Sequence, residues 1–334
     1  MADFQYHLPP ELIAQDPVYP RDASRLLVLH RSTGELEHRI FSELPEYLTA
    51  DDVLVLNDSK VIPARLEGRK PTGANIEILL LKRLDERRWE ALVSPGRRAR
   101  PGSVVMLNDE VQIKIGERTE AGGRIVEFTG NAPVSELLKR YGRTPLPPYI
   151  KKELKDPDRY QTIYAREEGS AAAPTAGLHF TERLLEQIRQ KGVSIVYLTL
   201  HIGLDTFRPI HEDIIEKHRM HSEEYEISEE TAEAINSAKG RIIAVGTTCV
   251  RALESAATED GKVVPGRRST SLFIMPGYQF RVVDALITNF HLPGSTLLVL
   301  VSAFASRELI LYAYQQAVQM RYRFYSFGDA MLIL

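Results

Sequence analysis

The sequence predicts an α/β protein whose main domain carries a small inserted β domain. Three observations predict this class. From about residue 175 onward, apolar strand-like runs alternate with amphipathic helical runs. Between about residues 60 and 150 the runs are short, alternating and separated by turns rich in Gly and Pro. The length of 334 residues is sufficient for two domains.

The first strands are predicted in RLLVLHR and DDVLVLND, and a second group follows them. That group consists of ANIEILLLKRL, RRWEALVSP, SVVMLN, VQIKIGER and GGRIVEFTG. Short strands at this spacing indicate a small antiparallel barrel or sandwich. The paired prolines of LPPYI, 146–150, predict an extended linker at its end. We therefore expect an inserted domain at 60–152, within an α/β domain formed by 1–59 and 153–334.

The remainder of the chain alternates helix and strand. TERLLEQIRQKG predicts a helix that ends at Gly192, and VSIVYLTLH a buried strand. SEETAEAINSAKG predicts a helix with Ser228 as its N-cap, before the strand RIIAVGTT. After the strand VVDALITNF we expect two helices, the second starting near Ser306. Such alternation implies a mainly parallel sheet, open or closed.

The charge is distributed unevenly along the chain. The protein has a net charge of -3, but residues 60–152 hold 19 Lys and Arg against 11 Asp and Glu. A basic block within an acidic protein is typical of a module that binds a polyanion. A solvated Lys/Arg face gives the same composition, and charge alone does not separate the two interpretations.

The composition predicts a cytoplasmic protein without a membrane segment. The content of 43% hydrophobic and 26% charged residues is typical of soluble globular proteins. The longest nearly apolar run, LLVLVSAFA at 297–305, is too short to cross a membrane. The N-terminal residues show no export signal. The single cysteine, Cys249, excludes an intramolecular disulfide framework and fits a reducing compartment.

Candidate functional residues follow the predicted strands, where α/β proteins gather their ligands. The small-residue stretch SAAAPTAGLHFT, 170–181, leads into a helix, and its Gly177 permits a positive φ or a close backbone approach. Four loops supply these candidates: Thr175, Gly177 and His179; His201, Asp205, Thr206 and Arg208; Gly246, Thr247, Thr248 and Arg251; Asn289, His291, Gly294 and Ser295.

The Gly-Thr-Thr turn at 246–248 offers backbone N–H groups, hydroxyls and a helix dipole to a carboxylate or phosphate. An ordinary helix N-cap is the alternative for this turn, and a plain strand-to-helix turn is the alternative for NFHLPGST. For the small-residue stretch, the alternative is a packing elbow. Since four polar loops follow strands in the same way, we favour a binding site over four separate structural explanations.

Several common sites are excluded by motif. The Rossmann and P-loop glycine patterns and the G-x-S-x-G elbow are absent, and Cys249 lacks the signatures of a thiol nucleophile. HEDIIEKHRMH, 211–221, holds three of the nine histidines but lacks the H-E-x-x-H spacing of a zinc site, so capping or solvated histidines are favoured there. An enzyme without a metal is expected.

Eight segments of the chain together resemble the motifs of one known family. The segments are PRDASRLLVL, VLVLNDSKVIPAR, AAPTAGLHFT, TLHIGLDTFRP, MHSEEYEI, IAVGTTCVRALES, DALITNFHLPGSTLLVLVSAFA and YRFYSFGDAMLI. These segments closely resemble S-adenosylmethionine:tRNA ribosyltransferase-isomerase, a family of queuosine biosynthesis. They span almost the whole chain. The departures are Cys249 in place of serine, Gly294 in place of lysine and Ile202 in place of valine, and Gly294 removes a cation that would suit a phosphate.

The resemblance implies an α/β barrel-like main domain with an inserted antiparallel β-barrel. It also implies that the ribosyl portion of S-adenosylmethionine is joined to 7-aminomethyl-7-deazaguanine at the wobble position of tRNA. Adenine and methionine leave, and epoxyqueuosine is formed. S-adenosylmethionine is then a consumed substrate, so no cofactor is expected. The expected partners are S-adenosylmethionine and this tRNA, bound by a monomer.

Within this family site we assign roles as hypotheses. His179, His201, His291 and Asp329 are candidates for acid–base catalysis, because a base must remove a C5′ proton and an acid must assist the departure of adenine. Thr247, Thr248 and Arg251 are expected to hold the methionine carboxylate. The backbone of the 172–181 segment is expected to lie against adenosine, and the pocket to include Thr175, Gly177, Gly246 and Asn289.

The basic block supplies candidates for tRNA binding, although a solvated surface charge is the alternative for each of them. These are Arg65, Arg69, Lys70, Arg97, Arg98, Arg100, Lys151 and Lys152. Two other functions remain open from the residues: an RNA-binding protein without catalysis, and a ribosyl-processing enzyme that acts on a free base. Adenine release, with and without RNA, separates them.

Overall fold

The computed structural model describes residues 2–108, 111–119, 122–203, 215, 220 and 222–334. The chain forms two compact units. The first consists of Met1–Ser59, Pro148–Glu167 and Ala173–Leu334, and the second of Lys60–Pro147 and Glu168–Ala172.

The unit boundaries differ from the 60–152 insertion expected from sequence at two points. The segment after Pro148 belongs to the first unit, where Gln15 Nε2 donates to Tyr149 O (2.9 Å) and Lys151 N donates to Gln15 Oε1 (2.8 Å). Glu168–Ala172 belongs to the second unit, where Ile62 N donates to Ser170 O (3.0 Å).

The strands of the described residues are β1 (Arg25–Leu29), β2 (Leu36–Ile40), β3 (Val53–Asn57), β4 (Ser59–Val61), β5 (Arg65–Arg69), β6 (Asn75–Arg83), β7 (Arg88–Ser94), β8 (Val104–Met106), β9 (Gln112–Arg118), β10 (Arg124–Phe128), β11 (Gly142–Arg143), β12 (Glu167–Ser170), β13 (Ser194–Leu200), β14 (Glu223–Ile227), β15 (Ile242–Val245), β16 (Gly266–Thr270), β17 (Ala285–Asn289) and β18 (Ala330–Ile333). Their α-helices are α1 (Val134–Tyr141), α2 (Glu182–Gln190), α3 (Glu229–Asn236), α4 (Thr247–Ala256), α5 (Thr296–Ala305) and α6 (Arg307–Gln319). Short 3-10 helices include Arg21–Ala23, Phe41–Tyr47, Pro157–Tyr160 and Thr175–His179.

The first unit is built on a mixed sheet in the order β16-β14-β13-β3-β15-β17-β18-β1-β2. Its centre is parallel, since β3 pairs in parallel with β13 and β15, and β15 pairs in parallel with β17. The other strands add antiparallel pairs towards both edges, together with the parallel pair β1–β18. The described pairings run from one edge strand to the other without joining into a ring.

One face of this sheet packs against α2 and two of the 3-10 helices. Alternate strand residues, among them Leu54, Leu56 and Ile287, are buried there with Phe180 and Leu184. Buried residues that alternate with these point to the opposite face, because side chains along a strand alternate between faces. Both faces are therefore apolar, as a sheet with covered faces requires.

The second unit is an antiparallel barrel. Its strands follow the order β5-β6-β7-β10-β9-β8, and a pairing of Arg69 with Met106 joins β8 to β5 and closes the ring. Inward residues such as Ile78, Trp89 and Ile113 fill it. The five strands predicted between residues 75 and 128 are confirmed, whereas β5 and α1 were not predicted. The α/β class with an inserted antiparallel barrel is thus confirmed.

The helix ends agree with the predicted N-cap Ser228, the predicted helix start near Ser306 and the predicted stop at Gly192. Ser228 Oγ accepts a hydrogen bond from Thr231 N (3.1 Å), and Ser306 Oγ accepts one from Leu309 N (3.3 Å). Gly192 follows α2 with φ of 90°. No single described helix is both long and apolar enough to span a membrane, although the bent pair α5 and α6 meets both criteria when combined.

Candidate active site

The carboxyl ends of four adjacent strands lie along one edge of the main sheet. These strands, β13, β3, β15 and β17, are mutually parallel. Each ends in, or is followed at once by, a polar residue or glycine: His201, Asn57, Gly246 and Asn289. Three of the four loops that the sequence singled out therefore begin along this edge, where α/β proteins bind ligands.

The 3-10 helix Thr175–His179 is fastened to this edge by Asn289. Thr175 Oγ1 donates to Asn289 Oδ1 (3.0 Å). The amide Nδ2 of Asn289 donates to His179 Nε2 (3.2 Å) and to Tyr325 O (3.3 Å). The same helix reaches the start of α4, because a Cβ built on Gly246 would lie 3.6 Å from the Ala176 Cβ. Four predicted residues are thereby brought together.

His179 is a buried, neutral imidazole with both nitrogens engaged. Because Nε2 accepts from Asn289, the ring proton lies on Nδ1, which donates to Ser24 Oγ (2.8 Å). The ring packs on Phe41 with a centroid separation of 5.0 Å. Burial lowers its pKa to about 4, against a smaller opposing effect of Asp329. These contacts fix the ring and suit positioning better than proton transfer.

Glycine is needed at position 177 because neighbouring side chains approach its backbone closely. The alternative expectation, a positive φ, is wrong, since Gly177 is not among the glycines with positive φ. A Cβ at this position would lie 2.0 Å from Tyr164 Oη and 2.9 Å from Thr162 Cγ2. Tyr164 Oη and Thr162 Oγ1 are both buried and have no hydrogen-bond partner among the described residues. Burial raises the pKa of Tyr164 well above its ordinary value, so its hydroxyl remains a donor.

His201 lies directly after β13 and is connected to β3. Its Nδ1 shares a hydrogen bond with Ser59 Oγ (2.8 Å), and Asn57 Oδ1 accepts from Ser59 N and Leu200 N, both at 3.1 Å. Burial, followed by the charge of Arg267, lowers the pKa of His201. Within the described residues, Nε2 of this half-buried ring has no hydrogen-bond partner. His201 is therefore neutral at pH 7 and has a nitrogen available to accept a proton.

The first turn of α4 is buried and could offer backbone N–H groups to a ligand, whereas Arg251 is already paired. Gly246 is the N-cap at φ of 93°, which favours glycine, and no side chain in the described part of the chain caps this helix. Thr247 and Thr248 form its first turn, where backbone N–H groups lack intrahelical partners. Arg251, one turn later, is buried and forms an ion pair with Glu223, while its Nε donates to Leu272 O (3.1 Å). Its charge is thus already neutralised within the protein.

His291 lies on the opposite side of the sheet from His179. Its Nε2 shares a hydrogen bond with Thr288 Oγ1 (2.8 Å), and Thr288 and Asn289 are consecutive residues of β17, whose side chains point to opposite faces. Its backbone N donates to Tyr314 Oη (3.0 Å), and burial lowers its pKa to about 3. The structure thus separates two histidines that the sequence had grouped together.

Asp329 is buried and held by two arginines. Its oxygens accept from Arg25 N (3.0 Å) and Arg25 Nε (3.3 Å), and from Arg323 N (2.8 Å) and Arg323 Nη2 (3.4 Å). Each carboxylate oxygen accepts two of these hydrogen bonds, so both are already engaged within the protein. This geometry argues against Asp329 as the base.

The predicted tRNA-binding residues are divided between the two units. Lys151 and Lys152 belong to the first unit, where Lys152 pairs with Asp16 (2.6 Å). Arg65 pairs with Glu77 (3.1 Å) in the second unit, and Lys70 Nζ donates to Arg98 O (2.8 Å). The other members are exposed side chains of the second unit: Arg69, Arg97, Arg98 and Arg100.

The loop 95–102 of the second unit presents three of these arginines together. Ala99 is fully buried in the barrel core and anchors the loop, while Arg97, Arg98 and Arg100 around it are exposed. An anchored loop holds these guanidinium groups outward with less loss of freedom than a mobile one would require.

The sequence analysis did not predict several residues at this edge of the main sheet. Ser24, Asn57, Ser59, Thr162 and Tyr164 contribute contacts that only the fold reveals. Asn57 carried a detectable signal, because it is the polar residue that ends the apolar strand VLVLN. Nothing in the sequence connected Ser24 to His179, which lies 155 positions away.

Some candidates lie outside the described residues. These are Asp205, Thr206 and Arg208, together with the histidines of HEDIIEKHRMH. Within the described part of the chain, no group of three His, Cys, Asp or Glu side chains could hold a metal ion. The expectation of a metal-free site stays a prediction.

Comparison with known proteins gives one consistent result. The model of a family described as queuosine biosynthesis protein matches residues 1–333. A protein of Moorella thermoacetica is 58% identical and one of Desulforamulus reducens is 56% identical, and each match covers 100% of this chain and 99% of the relative. Both are named S-adenosylmethionine:tRNA ribosyltransferase-isomerase. A crystal structure of S-adenosylmethionine tRNA ribosyltransferase from Thermotoga maritima is 43% identical, with a TM-score of 0.56 over 99% of this chain and 100% of that one.

Proposed function

The chain belongs to the queuosine biosynthesis protein family, and we propose that it transfers and isomerises the ribosyl moiety of S-adenosylmethionine onto tRNA. The acceptor is 7-aminomethyl-7-deazaguanine at the wobble position, and adenine and methionine are released. The observation that carries this proposal is the full-length match to relatives named for the reaction. The polar edge of the main sheet supplies groups that suit it.

S-adenosylmethionine is consumed in this reaction, so no cofactor is required. Its sulfonium acidifies the adjacent C5′ hydrogens, and a base removes one of these protons to give an ylid. The ylid opens the ribose and expels adenine, and the aminomethyl nitrogen of the tRNA attacks the carbon skeleton. The protein must position the substrates, accept one proton and donate another. We expect a cytoplasmic monomer to do this.

His201 is the proposed base. It is neutral because burial lowers its pKa, and Ser59 orients the ring through Nδ1, so Nε2 can face the substrate. His179 is a positioning residue in this scheme, since Ser24 and Asn289 occupy both of its nitrogens. Through Asn289 it fixes the 3-10 helix Thr175–His179, against which adenosine would lie.

The first turn of α4 is the proposed anchor for the methionine carboxylate. Its free N–H groups and positive dipole end favour an anion, and the hydroxyls of Thr247 and Thr248 add donors. Arg251 is withdrawn from this role because Glu223 neutralises it. Tyr164 Oη and Thr162 Oγ1, buried without partners beside Gly177, would donate to polar atoms of the nucleoside.

The tRNA would bind the arginine loop 95–102 of the second unit. Its three exposed guanidinium groups suit the phosphate backbone, which attracts Arg and Lys without regard to sequence. The bound phosphates would release counterions, so affinity would fall steeply with salt.

The test is adenine release from S-adenosylmethionine, followed by mass spectrometry. It is run with and without an anticodon stem-loop that carries 7-aminomethyl-7-deazaguanine. Release that requires the modified RNA, with a matching gain in RNA mass, is the expected result. Release without RNA would indicate an enzyme acting on a free base, and binding without release would indicate an RNA-binding protein; either result overturns the proposal.

Histidine variants test the roles. We expect H201Q to slow adenine release by about 10²- to 10⁴-fold, the range for loss of a general base. H291Q is the matched control, because His291 lies on the other face of the sheet. The folded H291Q protein should keep near wild-type turnover. Equal effects of the two substitutions would contradict the assignment of His201.

A further inference from the structure

Tyr19 is an aromatic side chain that the folded chain does not use. The residue is 87% exposed, more than any other large hydrophobic residue in the described part of the chain. It lies in the first unit, in the segment directly before the 3-10 helix Arg21–Ala23. Tyrosine is enriched at interfaces because its ring is apolar and its hydroxyl polar, so an exposed ring of this kind is available to a partner.

One arginine lies beside the Tyr19 ring, and a second is two residues away along the chain. The Arg159 guanidinium lies 5.8 Å from the Tyr19 ring centroid, and its Nη2 donates to Val18 O (2.6 Å). Arg21 donates to Asp158 O (2.9 Å) and to Leu178 O (3.3 Å). We call Tyr19, Arg21 and Arg159 the Tyr19 patch.

The cations of the Tyr19 patch lack carboxylate partners. Within the described residues, neither Arg21 nor Arg159 forms an ion pair, and the buried Nε of Arg159 has no hydrogen-bond partner. Burial, followed by the charge of Arg159, lowers the pKa of Arg21, while the charges of Asp156 and Asp158 act in the opposite direction. The Arg21 and Arg159 guanidinium groups are half-buried and donate mainly to carbonyl oxygens. Their positive charges are therefore available to attract an anion.

The Tyr19 patch adjoins the candidate active site. Arg21 contacts Leu178, the neighbour of His179 in the 3-10 helix Thr175–His179. Ser24, which binds His179 Nδ1, is five residues from Tyr19, so their Cα atoms are at most about 18 Å apart. This separation corresponds to a few nucleotides of RNA.

We propose that the Tyr19 patch binds an unpaired nucleotide of the RNA substrate close to the reacting base. The base stacks on the open face of the Tyr19 ring, and a neighbouring phosphate is bound by Arg159 and Arg21. Aromatic rings stack with any base, and guanidinium groups fit phosphates. This proposal rests on the proposed function, since it takes tRNA as the substrate.

The experiment measures binding of an anticodon stem-loop in which 2-aminopurine replaces one loop base at a time. With the wild-type protein, stacking quenches the fluorescence at one loop position. We expect Y19A to abolish that quenching and to weaken binding by about 5- to 150-fold, the range for loss of one stacked base. Y19F keeps the ring and should retain both. R159Q should lower the slope of log K against log salt by about 0.7, one phosphate.

The matched control is Y312A, which removes another exposed tyrosine of the same unit (49% exposed). It should leave affinity and quenching unchanged. Equal affinities of Y19A and wild type, or no quenching at any loop position in the wild type, would overturn the proposal and favour a protein partner for this surface. Adenine release is scored separately, so a wild-type protein that stacks the base without releasing adenine refutes the proposed reaction alone.

Discussion

A methyl group added at Gly177 should destabilise the first unit, and Tyr164 should be the reason. The new Cβ would lie 2.0 Å from Tyr164 Oη, far inside van der Waals contact, and 2.9 Å from Thr162 Cγ2. Overpacking of this kind costs about 1–3 kcal/mol. For a unit of this size we expect the melting temperature of G177A to fall by about 2–4 °C for each kcal/mol.

The substitution Y164F tests whether the clash with Tyr164 Oη is the cause of this destabilisation. Y164F removes the hydroxyl that the Cβ would strike, and this hydroxyl has no hydrogen-bond partner, so the single variant should be as stable as wild type or more stable. The double variant G177A/Y164F should recover part of the loss, with a coupling of about 1 kcal/mol or more. Recovery is partial, because Thr162 Cγ2 and Tyr164 Cζ remain 2.9 and 3.1 Å from the Cβ position.

The assay is urea unfolding of the four proteins in one double-mutant cycle. G203A is the matched control, since a Cβ there meets no described atom within 4 Å, and it should change stability by less than about 0.5 kcal/mol. Additive effects of G177A and Y164F, or a G177A protein as stable as wild type, would refute this account of the glycine. Y164F should also raise the KM for S-adenosylmethionine if its hydroxyl binds the nucleoside.

Three further predictions follow from buried charge and exposed arginine. R251M alone should destabilise the protein by about 3–5 kcal/mol, because Glu223 is left without its partner. In urea unfolding, the double variant R251M/E223M should recover most of this loss. No recovery would contradict the pairing. The folded-state pKa of His291 is about 3 against an ordinary value of 6.5, so the unfolded chain binds more protons between these values. Stability should therefore fall as the pH drops below 6.5, by about 1.4 kcal/mol per pH unit from this group, and H291Q should show a shallower fall in urea titrations at pH 7, 6, 5 and 4. The triple variant R97Q/R98Q/R100Q should reduce the slope of log K for the stem-loop against log salt by about 2. The control R88Q removes an arginine that is already paired with Asp85 and should leave the slope unchanged. An unchanged slope in the triple variant would exclude the loop as the phosphate contact.

Local patterns along the chain were sufficient for much of the fold. Period-two runs predicted the barrel strands from Asn75 to Phe128, and capping residues located the helices that begin after Ser228 and Ser306. These features depend on neighbours within a few positions, which the sequence displays directly. The family could be inferred from sequence for a similar reason, because long motifs keep their residues in order.

The roles of individual side chains depended on contacts between distant residues. The sequence placed His179, His201 and His291 on equal terms, but the pleat of β17 puts Thr288 and Asn289 on opposite faces and so separates His291 from His179. The sequence also predicted that Arg251 binds a substrate carboxylate, whereas Glu223, 28 residues away, neutralises the charge of Arg251. Periodicity fixes which face of a strand a residue occupies, but only the packed sheet determines which partners lie across that face. For this reason the sequence by itself determined the class and the family, and the tertiary structure decided which polar groups remain free to bind a substrate.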